Sequence, residues 1–135
     1  MPRFVLDTNV WIQILRGRSD SLRLKLSKVA PEDLALSSIV WAELLVGARL
    51  SLRGYELEKQ RLAPFQQLAQ LPFEQEAAEH YAQIRVHLQA RGELIGERDL
   101  QIAATARAHG LTLITHNTRE FNRVPNLLIE DWEAP

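Results

Sequence analysis

Three carboxylates in this chain stand where acids are costly. Asp7 directly follows the apolar run Phe4, Val5, Leu6 and directly precedes Thr8 and Asn9. Glu43 lies in a helical pattern whose same-face neighbours are Ile39, Val40, Val46 and Gly47. Asp99 opens an Ala-rich helical stretch and shares its face with Ile102, Ala103 and Ala106. Each acid has an ordinary explanation. Asp7 can cap the following helix, Glu43 can sit at the edge of the apolar stripe and pair with Arg49 or another base, and Asp99 in a first turn suits the helix dipole by ~0.3 to 1 kcal/mol. Taken together they have a common one. An unpaired buried carboxylate costs several kcal/mol and would sooner take up a proton, whereas a hard divalent cation relieves several crowded acids at once. Mg²⁺ fits that chemistry, because it prefers oxygen ligands, keeps several waters and is held by one or two carboxylates plus phosphate oxygens. Hydrolysis at phosphorus follows: such an ion lowers the pKa of a bound water, neutralises the phosphate and stabilises the leaving oxygen.

The elements that would position these acids alternate in type. Phe4 to Leu6 reads as a buried strand, and Val10, Trp11, Ile14 and Leu15 recur at helical spacing until Arg16 and Gly17. Leu22, Leu26 and Val29 continue a helical pattern before Pro31, and Leu34 to Leu36 forms a second strand. Ser37 or Ser38 is placed to cap a helix over Ile39 to Leu50. Helix-favouring residues run from Tyr55 to Gln70 with a break at Pro64, and Leu71 to Phe73 is a third strand containing Pro72. Glu74 to Arg91 predicts a helix with Ala77, Tyr81, Ile84 and Leu88 on one face, closed by Gly92. Asp99 to His109 predicts another, closed by Gly110, then strands at Leu111 to Ile114 and Leu127 to Ile129. This alternation predicts an α/β fold with a mostly parallel sheet covered on both faces. In such a sheet the carboxyl ends of the strands form the ligand-binding rim, which is where Asp7 falls.

The bulk numbers narrow the classes. A chain of 135 residues, 46% apolar and 24% charged, predicts one domain with its own core. Sixteen Lys and Arg against seventeen Asp and Glu leave a net charge of −1, so any polyanion contact must be local. The absence of Cys removes disulfides, thiolate zinc sites and thiol nucleophiles, and makes the cytoplasm the natural compartment. No apolar stretch reaches the roughly 20 residues that span a bilayer.

The segments DTNVW at Asp7 to Trp11, SSIVWAELLVGA at Ser37 to Ala48, IGERDLQIAATA at Ile95 to Ala106, LITHNTREFNRVPNL at Leu113 to Leu127 and the tail IEDW at Ile129 to Trp132 resemble PIN-domain ribonucleases. More narrowly, they resemble the VapC toxins of type II toxin–antitoxin pairs. The resemblance covers nearly the whole of residues 1–135, read as a single PIN domain. It implies a three-layer α/β/α sandwich, RNA phosphodiester cleavage dependent on Mg²⁺ or Mn²⁺, a homodimer, and a cognate VapB-like antitoxin through which operator DNA is bound. Carried over by position, Asp7, Glu43 and Asp99 match the family's acidic residues, with Asp7 and Asp99 as direct metal ligands. Thr8 and Asn9 match the polar pair that orients a carboxylate or water. Many PIN domains have an Asp where this chain has Asn117, and Glu120 is the nearby acid. Asn117 then ligates through its carbonyl or positions a water, with Glu120 acting from behind it.

Other residues carry weaker signals. His116 adjoins the candidate site, but imidazole is a poor Mg²⁺ ligand. His80, His87 and His109 read as surface or helix-end residues, and Trp11, Trp41, Trp132, Tyr55 and Phe65 as packing residues. Arg16, Arg18, Arg23, Lys25 and Lys28 form a basic run that suits RNA phosphates, antitoxin acids or simple solvation. Two other functions compete with RNA cleavage. An aspartyl-phosphate phosphatase would use Asp7 as nucleophile but needs a second Asp where Asn9 stands. A catalytically degenerate PIN domain that only binds a partner or nucleic acid would explain Asn117.

Overall fold

The computed structural model describes residues 1–134. Five strands form one sheet: β1 (Phe4–Leu6), β2 (Leu34–Ser37), β3 (Ala69–Leu71), β4 (Thr112–Ile114) and β5 (Ile129–Glu130). Their order is β3-β2-β1-β4-β5 and every pairing is parallel. All residues of β1 and β2 are buried, as expected of central strands covered on both faces. The helices that cover them are α1 (Thr8–Arg16), α2 (Asp20–Ser27), α3 (Ser38–Leu50), α4 (Tyr55–Leu62), α5 (Gln75–Ala90), α6 (Glu97–Ala108) and α7 (Thr118–Phe121). The result is the α/β/α arrangement that the alternation of elements predicts. Among the described residues, no helix is long and apolar enough to cross a membrane.

Local chemistry sets the element ends. The Asp7 side chain accepts from Val10 N–H and caps α1, which Gly17 ends in the left-handed conformation at φ 63°. Its N–H bonds Gln13 and Ile14 carbonyls at 3.0 and 3.1 Å. The Ser37 hydroxyl accepts from Ile39 N–H and starts α3 one residue earlier than predicted. On α5, Ala77, Ile84 and Leu88 are buried against the core, while Tyr81 is half-buried and bonds Glu97 at the start of α6. Pro64 breaks the helix-favouring stretch as expected, and a 3-10 turn over Ala63–Gln67 follows α4.

Several placements differ from the sequence expectation, and strand β4 starts at Thr112, one residue later than predicted. The third strand is Ala69–Leu71 rather than Leu71 to Phe73. It pairs Ala35 with Ala69 and Ser37 with Leu71, and Pro72, having no N–H, cannot extend the ladder. The last strand is Ile129–Glu130 rather than Leu127 to Ile129, because Asn126 at φ 61° still turns the chain. Helix α6 starts at Glu97, two residues before Asp99, and α7 is an element that the sequence reading lacks.

The core is one cluster running through both layers, with Phe121, Leu6, Leu36, Ile84, Leu88, Leu100 and Ile102 among its most deeply buried side chains. Trp11 packs on Phe65 with ring centroids 4.5 Å apart, and Trp132 meets Phe4 edge-on at 5.1 Å. Trp41 is half-buried against the same core.

Candidate functional site

The strand order reverses direction between β1 and β4: the chain winds from β1 through β2 to β3 on one side and places β4 and β5 on the other. The crevice outside the carboxyl ends of strands at such a reversal is the general ligand site of open parallel sheets. Asp7 leaves β1 there and Thr115 leaves β4. Asp7 N–H bonds the Ile114 carbonyl at 3.0 Å, so the two exits are clamped side by side.

Asp7 is 6% exposed, and both its oxygens are engaged. Oδ1 accepts from Val10 N–H at 2.9 Å, and Oδ2 accepts from the Thr115 hydroxyl at 2.5 Å. Thr115 Oγ1 in turn accepts from Asn117 N–H at 3.0 Å. The cap and ligand readings of Asp7 are therefore compatible, since one oxygen caps the helix while the carboxylate borders a cavity of about 370 Å³ lined by Asp7, Asn9, Gln13, His116, Asn117 and Glu133. Thr115 was not a candidate from sequence. The available signal was a hydroxyl at the end of the strand that pairs with β1.

Glu43 reaches the same rim from α3. Thr8 donates its hydroxyl to Glu43 Oε1 at 2.6 Å, and the Arg98 guanidinium lies 3.6 Å from Oε2. Arg49 is not its partner, because that guanidinium stacks 3.9 Å above the Tyr55 ring. Asp99 points in from the first turn of α6. Burial pushes its carboxyl up to about 6, assisted by the negative charges of Asp7, Glu120 and Glu43. Asp7 is raised too, chiefly by burial and further by Glu43, against the lowering effect of its bonds from Thr115 and Val10. Asp99 thus feels the charges of Asp7, Glu120 and Glu43, an acid basin beside the strand reversal. Asn117 precedes α7 and donates its side-chain amide to Glu120 Oε2 at 3.2 Å, so it orients the acid it was expected to stand in front of.

The carboxylates of the basin offer oxygen donors, and the charges of Asp7, Glu120 and Glu43 add to the upward push on Asp99, which suits a hard divalent cation. The group of three metal-ligating side chains with donor atoms all within 4.8 Å of one another is a different one: His116, Asp131 and Glu133. The basin acids are spread more widely. That spacing fits a cation contacted directly by one or two carboxylates and by the others through its retained waters.

The basic run does not form one surface. Arg16 borders a hollow with Glu43, Glu58 and Arg61, Arg23 pairs with Asp20 at 3.0 Å, and Lys25 and Lys28 face another hollow beside Arg3 and Trp132. His87 and His109 are exposed, as expected, whereas half-buried His80 accepts from Arg107 Nε at 2.8 Å.

A family model described as "PIN domain" matches residues 4–127. "Ribonuclease VapC2" of Rickettsia felis is 34% identical over 131 residues, covering 96% of this chain and 98% of that protein. "tRNA(fMet)-specific endonuclease VapC" of Shigella flexneri is 35% identical over 136 residues, covering 98% and 99%. The DNA-bound VapBC structure from Salmonella typhimurium contains a chain that superposes with a TM-score of 0.89 at 35% identity, covering 98% of this chain and 99% of that one.

Proposed function

The chain belongs to the PIN domain family, and within it to the VapC ribonucleases; on that footing we propose that it is the toxin of a type II toxin–antitoxin pair, an endoribonuclease that hydrolyses RNA phosphodiester bonds. One observation carries this reading: at the reversal of strand order an acid basin is built on Asp7, held by Val10 N–H and the Thr115 hydroxyl, and on Glu43, held by the Thr8 hydroxyl. Such a basin repels a bare polyanion and attracts a divalent cation. A cation held there, Mg²⁺ first and Mn²⁺ as the alternative, supplies neutralising charge and an acidified water.

The chain's own groups do the positioning. Asp7, fixed at both oxygens, is the most rigid of the four acids and, with Asp99, the direct ligand in this reading. Thr8 turns Glu43 toward the basin, Asn117 turns Glu120, and exposed Asn9 lines the cavity beside Asp7. Arg98, with a side chain 68% exposed beside Glu43, would offer its guanidinium to an entering phosphate. A degenerate binding domain has no support here, since an acid occupies the fourth place through Glu120 and relatives across the full length are ribonucleases by name. A phosphatase reading has none either, because Asn9 cannot serve as its second acid.

The same reading brings the partners: a VapB-like antitoxin, a homodimer, and operator DNA bound only through the antitoxin complex. Solved relatives include VapBC assemblies, among them DNA-bound ones from Rickettsia felis and Salmonella typhimurium. The cytoplasm is the compartment where all of these meet.

Removing divalent metal is the direct test. Purified chain is expected to cleave RNA with Mg²⁺, to stop in excess EDTA, and to recover when Mg²⁺ or Mn²⁺ is restored, with mapped 5′ ends showing internal cuts. Cleavage undiminished by EDTA would sink the metal-dependent reading.

Charge crowding gives a second expectation. Because Asp99 titrates at about 6 when folded against an ordinary 3.8, the native state binds more protons between those values, so metal-free stability falls as pH rises from about 4 to 6. Asp99→Asn should reduce this fall, leaving the share that the raised Asp7 contributes, and stabilise the metal-free protein at pH 7 by roughly 1 to 2 kcal/mol in its half-exposed setting. It should also shrink the stabilisation that Mg²⁺ provides. Thermal melts across pH, with and without Mg²⁺, check both points.

A further inference from the structure

His116, Asp131 and Glu133 are not among the four acids of the reading above, although His116 and Glu133 border the same cavity as Asp7. We propose that these three side chains form a second divalent-metal site, one that takes an imidazole-preferring transition-metal ion rather than magnesium.

The geometry is that of a coordination shell. One donor atom from each residue lies within 4.8 Å of the others, and His116 Nδ1 is 3.1 and 3.3 Å from the two Asp131 oxygens. Ligands about 2.1 Å from an ion and at right angles to each other stand about 3 Å apart, so the imidazole and carboxylate already span one edge of such a shell. One neutral imidazole and two carboxylates balance a divalent ion, and the mixed nitrogen and oxygen donors favour Mn²⁺, Co²⁺, Ni²⁺ or Zn²⁺ over Mg²⁺.

The scaffold holds the donors in place before any ion arrives. His116 lies just past the end of β4 and Asp131 just past the end of β5, neighbouring strands joined there by Thr115 N–H to the Glu130 carbonyl at 3.0 Å. Asp131 Oδ1 accepts from Glu133 N–H at 2.9 Å, which fixes the turn between the two acids. Between them Trp132 is buried against Phe4 and donates its indole N–H to Glu130 Oε1 at 3.0 Å. An ion held by His116 and Glu133 would face the cavity that Asp7 also borders. It adds positive charge where RNA phosphates would run.

Titration calorimetry with NiCl₂ on tag-free full-length protein tests this, in Mg²⁺ sufficient to fill the acid basin. The wild type is expected to bind one Ni²⁺ per chain. His116→Asn and Glu133→Gln should each weaken that binding by about tenfold or more, while Asp99→Asn leaves it unchanged. His116 is 67% exposed, so its replacement is compatible with an intact fold, and circular dichroism melts of the variants provide the control. No Ni²⁺ binding in the presence of Mg²⁺, or binding undiminished in folded His116→Asn, would overturn the proposal. The nuclease reading is scored separately, by Mg²⁺-supported RNA cleavage, so either can fail alone.

Discussion

Asp7→Asn is expected to reduce RNA cleavage by roughly two to three orders of magnitude while the chain still folds. The substitution changes charge but little shape. Asn caps helices about as well as Asp, so the bond from Val10 N–H that starts α1 is retained. The other oxygen becomes an amide that no longer accepts the Thr115 hydroxyl, and the basin loses the acid that is held most firmly. Cleavage assays beside circular dichroism melts separate the outcomes. A variant with a native melt and near wild-type cleavage would remove Asp7 from the chemistry and with it the site as described.

Phe121→Ala should destabilise the chain by about 3 to 5 kcal/mol, the range for truncating a buried Phe. Phe121 is 1% exposed and is the anchor of α7, a helix of only four residues. So short a helix has no stability of its own, and its position rests on that one ring. Against a typical total of 5 to 15 kcal/mol the loss is severe. Activity should suffer beyond the loss of folded protein, because Glu120 and Asn117 travel with α7. Urea unfolding gives the first effect, and cleavage per folded molecule at low temperature gives the second. A loss under about 1 kcal/mol would mean that the ring does not hold α7 in place.

The parts of this fold that were legible in the sequence share a local signal. Phe4 to Leu6 followed by Asp7 marks a strand that stops at a cap, and Gly17, Gly92 and Gly110 mark helix ends because each takes a positive φ. The three acids stood out because an apolar strand precedes Asp7 and apolar residues share the helix faces of Glu43 and Asp99. What stayed hidden depends on distant partners. The third strand was read two residues late because Leu71 and Phe73 look more strand-like than Ala69 and Gln70, yet backbone pairing with β2 decides the register. Arg98 was not a candidate partner for Glu43, since the two meet only when α6 docks beside α3. Thr115 and the His116, Asp131, Glu133 group become visible only once β4 and β5 lie next to β1. Helix α7 is too short for any periodicity to show.

The clamp between Asp7 and Thr115 joins residues 108 positions apart. Strand β4 is therefore the last central strand to be synthesised and the one that completes the crevice. A nascent chain on the ribosome has its first acid early but nothing to hold it, and any product truncated before Thr112 lacks the wall permanently. Parallel pairing over such a span is also slow to form. A chain released before β4 is therefore expected to lack a formed crevice, and fragments ending there are expected not to cleave RNA.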